Sequence, residues 1–101
     1  MKEEEIYERL MAYRALDNPA RLRAFILIER NPGIHFNELA RRVGVERGLL
    51  AYHLGVLHAA ELVERTLERE SKALSKYRLS RRGKRILGEL SASARRRTAP
   101  R

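Results

Sequence analysis

Apolar residues recur along this chain at two different periods. Over residues 3–16, Ile6, Leu10, Tyr13 and Leu16 share one face, with Tyr7 and Met11 beside it. That three-to-four spacing is the signature of an amphipathic helix. Asp17-Asn18-Pro19 then breaks the pattern. Asn18 suits a helix cap, and Pro19 suits the first helical position, where a missing N–H costs nothing. A second helix is predicted over about residues 19–30, with Leu22, Phe25, Ile26 and Leu27 apolar, and it closes at Asn31-Pro32-Gly33. Phe25 to Ile28 alone is compatible with a strand, but the capping and turn signals on either side argue for a buried helix. Ile34 to Phe36 reads as one short extended piece. Next, Leu39, Ala40 and Val43 form a stripe that ends at Gly44, and Gly is favoured just past a helix because it enters the left-handed region without a Cβ clash. A further stripe follows at Leu50, Leu54 and Leu57. Two short helices joined by a Gly-containing turn predict a helix-turn-helix within Phe36 to Leu62, its second helix over about 46–59.

The period then changes. Leu62 to Leu67 and Ser75 to Leu79 each suit a half-buried strand, with polar Glu68 to Ser71 between them, so a hairpin with a charged tip is predicted. Ser80 is placed to cap a last helix, whose apolar side is Ile86, Leu87 and Leu90. A hairpin directly behind the second helix of a helix-turn-helix is a wing. The predicted fold class is therefore mainly α with a small β-wing, a winged helix-turn-helix. Residues 1–94 are expected to form one domain, followed by a basic, flexible tail over 95–101. One core of this size needs no metal or disulfide staple.

Composition changes the picture in three respects. The chain has 22 Lys+Arg against 13 Asp+Glu, a net charge of +9, which attracts phosphate backbones and acidic surfaces without bearing on fold. Eight of those bases, against one acid, fall in residues 80–101. The terminal Arg95, Arg96, Arg97 and Arg101 have two readings, a solubilising frayed end or an extension that grips phosphate. There is no Cys, which excludes disulfides, thiolate metal sites and a thiol nucleophile. No apolar run approaches the ~18 residues of a membrane span, and the acidic start is unlike a signal peptide. A cytoplasmic, nucleoid-associated protein with no membrane partner is expected. The absence of Gln, with three Asn and abundant Arg and Glu, is the bias of thermophile proteins. No Gly-rich phosphate loop, paired-His metal motif or nucleophile elbow is present, so neither an enzyme nor a cofactor is expected.

Double-stranded DNA is the partner these features predict, with the helix over 46–59 in the major groove. With Leu50, Leu54 and Leu57 inward, the opposite face presents Arg47, Gly48, Ala51, Tyr52 and Gly55. Arg47 stands at the helix N-terminus, the end that meets base edges, where a bidentate Arg–guanine pair discriminates by about 1–3 kcal/mol. The alternative is a solvated helix-start arginine. Gly48, Ala51 and Gly55 allow close backbone approach, and Tyr52 can reach a phosphate or a thymine methyl, or pack on the wing. His53 is placed with the DNA-contacting set through a phosphate contact, structural packing being the other reading. Arg42 faces solvent or phosphate. On the wing, Arg69, Lys72 and Lys76 are the candidate groove contacts. Glu64, Glu68 and Glu70 interleave the bases there, so cross-strand ion pairing competes with that reading. His35, with Glu38 three residues on, has the spacing of a capping box.

These segments resemble the winged-helix transcription regulators of the ArsR and MarR type, in an archaeal-like single-domain form. Leu16 to Leu27 (LDNPARLRAFIL) is similar to the leading segment of ArsR-type domains. Ile34 to Ala40 (IHFNELA) with Gly48 to Leu54 (GLLAYHL) is similar to the helix-turn-helix of archaeal winged-helix regulators. Tyr77 to Gly83 (YRLSRRG) matches the segment that ends the wing and opens the last helix. The resemblance spans roughly residues 14–90. It implies wing tips reaching a neighbouring minor groove, and a homodimer that reads two half-sites. The dimer seam is placed on Ile6, Tyr7, Leu10, Met11 and Tyr13 of the first helix and on Ile86, Leu87 and Leu90 of the last, which carry more apolar surface than a small monomer easily buries. Two positions depart from the family pattern. Glu46 stands where a Ser or Thr cap is usual, and Leu49 stands where Thr is frequent, either packed under the preceding helix or set against a thymine methyl. Metal sensors of the ArsR type carry two Cys where this chain has His35 and Asn37, so no metal is expected. Three functional classes follow: a sequence-specific regulator, a weakly specific architectural DNA-binding protein, and a protein-interaction winged helix.

Overall fold

Asn18 turns the corner between the first two helices. Its side-chain oxygen accepts a hydrogen bond from the Arg21 N–H at 3.0 Å, with Pro19 in the first turn. In the computed structural model, which describes residues 1–67 and 75–98, α1 spans Glu3–Leu16 and α2 spans Pro19–Arg30. The three acids in the first turn of α1 complement the helix dipole. Then follow β1 (Ile34–His35), α3 (Phe36–Val43), α4 (Arg47–Ala59), β2 (Val63–Thr66), β3 (Lys76–Leu79) and α5 (Arg81–Thr98). The winged-helix architecture predicted from the pattern is the one observed.

The sheet differs from expectation in one respect. Its three antiparallel strands run in the order β1-β3-β2. Val63 pairs with Leu79 inside the hairpin, and Ile34 pairs with Tyr77 on its other edge. The extended piece before α3 is thus a strand, two residues long, and Phe36 already belongs to the helix. Gly33 sets it up at φ 86°, its N–H donating to the Tyr77 carbonyl at 2.8 Å.

Phe25, Ile28, Leu39, Leu50, Leu57 and Leu62 are fully buried and make the centre of the core, joined by Ile34, Val63, Tyr77, Leu79 and Ile86. On α1 the inward positions are Ala12, Ala15 and Leu16. Small residues let α1 and α2 approach closely, while Ile6, Tyr7 and Leu10 stay exposed. Met11, Tyr13, Leu87 and Leu90 are half-buried. Ile86 is 2% exposed, which corrects its assignment to a dimer seam: it is a core residue of the single chain.

The start of α5 is fastened to the end of α4. Ser80 caps as predicted, its hydroxyl accepting from the Gly83 N–H at 2.9 Å and donating to the Glu61 carbonyl at 2.6 Å. Glu61 itself takes φ 60°, a conformation with a steric cost for a residue bearing a Cβ. Gly83 lies so close to this junction that a Cβ there would stand 2.1 Å from the Leu62 carbonyl oxygen. Tyr13 donates to Glu89 at 3.0 Å, and Arg9 pairs with the same carboxylate at 3.3 Å, tying α1 to α5. Burial, then the neighbouring Glu89 carboxylate, hold the Tyr13 phenol above its ordinary pKa. Because α5 continues to Thr98, Arg95 and Arg96 extend from a helix, where a tail was expected; residues 99–101 lie outside the described residues. No helix among the described residues is long and apolar enough to cross a membrane.

Candidate nucleic-acid interface

The turn between α3 and α4 is made by Gly44 at φ 76°, ψ 29°, whose N–H donates to the Ala40 carbonyl at 3.1 Å. This left-handed residue stops α3 and turns the chain into Glu46, after which α4 begins at Arg47. The Glu46 side chain makes no capping hydrogen bond. Its carboxylate folds over Gly48 instead, one oxygen lying 2.9 Å from where a Cβ would stand. The His35 capping box does not form either. The His35 side chain caps nothing, and Glu38 pairs with Arg41 one turn on.

Leu50, Leu54 and Leu57 face the core, as their spacing predicts. Arg47, Gly48, Leu49, Ala51, Tyr52 and Gly55 face outward. Tyr52 is 62% exposed and Leu49 45%, so Leu49 does not pack under α3. The outward face is contoured by its small residues: Gly55 has open space where a side chain would be, and Ala51 offers only a methyl.

His53 requires correction. It is 4% exposed and cannot reach a phosphate from inside the core. Its Nδ1 lies 3.3 Å from an Arg21 Nη1, and the same guanidinium donates through Nε to the Ala15 carbonyl. A guanidinium only donates, so Nδ1 is the acceptor and the ring proton sits on Nε2. Burial, reinforced by the Arg21 charge, holds the His53 pKa below its ordinary value. The sequence contained the signal, because position 53 lies three residues after Leu50 and four before Leu57, on the buried stripe.

Arg47 has partners that the sequence reading missed. Its guanidinium carbon lies 5.0 Å from the centre of the Phe36 ring, within cation–π range. Its Nη1 donates to the side-chain oxygen of Asn37. No periodicity links positions ten apart across a turn; only the packing of α3 against α4 brings them together. Arg42 is exposed in the last turn of α3. The Val43 carbonyl beside it accepts from Arg23 Nη1 at 3.3 Å.

The wing stands beside α4. A cleft of about 270 Å³ runs between them, lined by Phe36, Arg47, Gly48, Ala51 and Gly55 on the helical side and by Tyr77 on the sheet. Burial raises the Tyr77 phenol pKa, with Arg65 opposite it in the ladder working the other way. Lys76 is exposed opposite Thr66, and Glu64 faces Arg78 across the strands. Opposite charges in such register stabilise the hairpin by up to about 1 kcal/mol. Arg69 and Lys72, the candidate tip contacts, lie outside the described residues.

Comparison with known proteins agrees with this geometry. The model of the MarR family matches residues 18–72. A crystal structure of MarR superposes with a TM-score of 0.70 at 27% identity, covering 87% of this chain and 67% of that one. NolR from Sinorhizobium fredii superposes with a TM-score of 0.70 at 27% identity, covering 91% of this chain and 92% of its own. HlyU from Vibrio cholerae, at 22% identity, shares the fold over 98% of this chain and 100% of its own, with a TM-score of 0.76. None of the curated proteins compared with the chain matches it. The helix-turn-helix, its wing and the matched residues together establish that the chain belongs to the MarR family of winged-helix transcription regulators.

Proposed function

We propose that this regulator acts as a sequence-specific homodimer, with α4 in the major groove and the wing on the adjacent minor groove. The observation that carries the reading is the outward face of α4. It opens with a cation at the helix N-terminus, Arg47, and continues through Gly48, Ala51 and Gly55, which let the helix axis approach a groove floor. Arg at the leading end of a recognition helix is suited to the guanine O6/N7 edge. Tyr52, Arg42 and Lys76 flank that face as contacts to phosphate or base, and Arg69 and Lys72 are assigned to the wing on the sequence alone. The dimer seam is supported by the exposed apolar side of α1, where Ile6, Tyr7 and Leu10 are 46%, 61% and 56% exposed. Met11, Tyr13, Leu87 and Leu90 border it. A single recognition helix reads only a few base pairs, and pairing doubles the site.

A second reading, weakly specific architectural binding, is favoured by the +9 charge and by the exposed Arg95 and Arg96 on α5. Selection from random duplex DNA at ~150 mM salt separates the two, because backbone-only binding weakens alike for all sequences as salt rises. Recovery of an inverted repeat with half-sites about ten base pairs apart is expected. Retained DNA with no enriched motif would replace specificity with the architectural reading. No retained DNA would turn the assignment towards a protein partner.

A further inference from the structure

We propose that Asn37 is a positioning residue for base reading: together with the Phe36 ring it holds the Arg47 guanidinium in one orientation before DNA arrives. The inference rests on the reading of α4 as the recognition helix and deepens it by naming what sets specificity at that helix's first residue.

Three observations carry it. Arg47 is exposed at the first position of α4. One face of its guanidinium lies over Phe36, with the carbon 5.0 Å from the ring centre. One Nη1 hydrogen goes to the Asn37 side-chain oxygen. Phe36 is 8% exposed, so the ring is a fixed platform, and Asn37 follows it directly in α3. An arginine free in water loses rotamer freedom when it docks on a base, and bracing it in advance lowers that cost. The bond to Asn37 uses only Nη1. It leaves the Nε–Nη2 edge, the pair of parallel donors that matches guanine O6 and N7, available to a base. Asn37 therefore reaches specificity through Arg47, without itself touching a base edge.

The test uses the full chain and the duplex recovered by selection, with a panel of its single base-pair variants, and reads dissociation constants by fluorescence anisotropy. Arg47→Ala is expected to abolish preference at one base-pair position per half-site. Asn37→Ala is expected to weaken binding to the selected duplex roughly threefold to tenfold, the range of one ordinary net hydrogen bond at an exposed site. It should flatten preference at that same position and leave the others. The double variant should bind like Arg47→Ala alone, because both changes remove one unit. Asn37→Asp keeps the acceptor, so preference at that position should persist while its added negative charge lowers affinity across the whole panel. An unchanged preference profile for Asn37→Ala, multiplied losses in the double variant, or tighter binding by Asn37→Ala would overturn the proposal; the last would mean that Asn37 parks Arg47 away from DNA. If Arg47→Ala itself leaves every preference intact, the recognition-helix reading at this residue fails, and the positioning role fails with it.

Discussion

Replacing Gly83 by Ala tests how α5 is seated. The added Cβ would stand 2.1 Å from the Leu62 carbonyl oxygen and 3.4 Å from a ring carbon of Phe25, whereas ordinary contact with the oxygen begins at 3.4 Å. Phe25 and Leu62 are both fully buried, and the obstructing atom is backbone, so neither side can swing away. The helix must lift from the α4–β2 junction, stretching the Ser80 N–H bond to the Leu62 carbonyl, now 3.0 Å, and the Ser80 cap. Overpacking costs about 1–3 kcal/mol, and a weakened hydrogen bond and cap about 1 kcal/mol each. Against this, Ala gains about 1 kcal/mol over Gly in helix propensity. The net expectation is a loss of about 2–4 kcal/mol, or roughly 10–25 °C in Tm for a domain of this size. Thermal and urea unfolding followed by far-UV circular dichroism would measure it, at one protein concentration, since the proposed dimer would make Tm concentration-dependent. Gly88→Ala on the same helix is the control. Nothing lies within 4 Å of a Cβ there, so it should stabilise by about 0.5–1 kcal/mol. If Gly83→Ala unfolds within about 0.5 kcal/mol of the parent, the close approach has been misjudged.

Two further outcomes are expected. The folded-state pKa of His53 lies below the ordinary value of 6.5 through burial and the Arg21 charge, so the unfolded chain binds its proton first as pH falls. The stability this site contributes is complete above pH 6.5 and is lost as pH falls from there through the folded value. Urea midpoints between about pH 5 and 7 should fall more steeply for the parent than for His53→Gln; equal slopes would rule the site out as a contributor. Gly55→Ala should stabilise α4 by about 0.5–1 kcal/mol, because the site is open, yet weaken binding to the selected duplex by placing a methyl on the groove face. Unchanged affinity in the more stable variant would show that the backbone does not approach the groove at that point.

How much was legible depended on how local the physics was. The bounds of α1 and α2 follow from residues within one turn of each end: the acidic first turn of α1, and Asn18 with Pro19 before α2. Gly44 marks the end of α3 because only the backbone at that one position must turn left-handed, and Leu50, Leu54 and Leu57 declare the inner face of α4 by spacing alone. The same reasoning stops where a partner is distant in the chain. Two residues of β1 are too few to show a period, so their pairing with β3 came only from the fold. Helix periodicity on α1 groups Ile6 and Leu10 with Leu16, yet of these only Leu16 enters the core, beside Ala12 and Ala15, since crossing helices bury the residues that let their backbones come close. Ile86 has the size and polarity of a seam residue, and its burial is set by which neighbours arrive, whereas the burial of His53 was legible in its place on the inner stripe of α4. The two arginines that matter most tell the same story. Arg21 found its acceptor in a histidine 32 residues away and Arg47 found Asn37 across the turn. A charged side chain announces that it needs partners, and only tertiary packing decides which ones it receives.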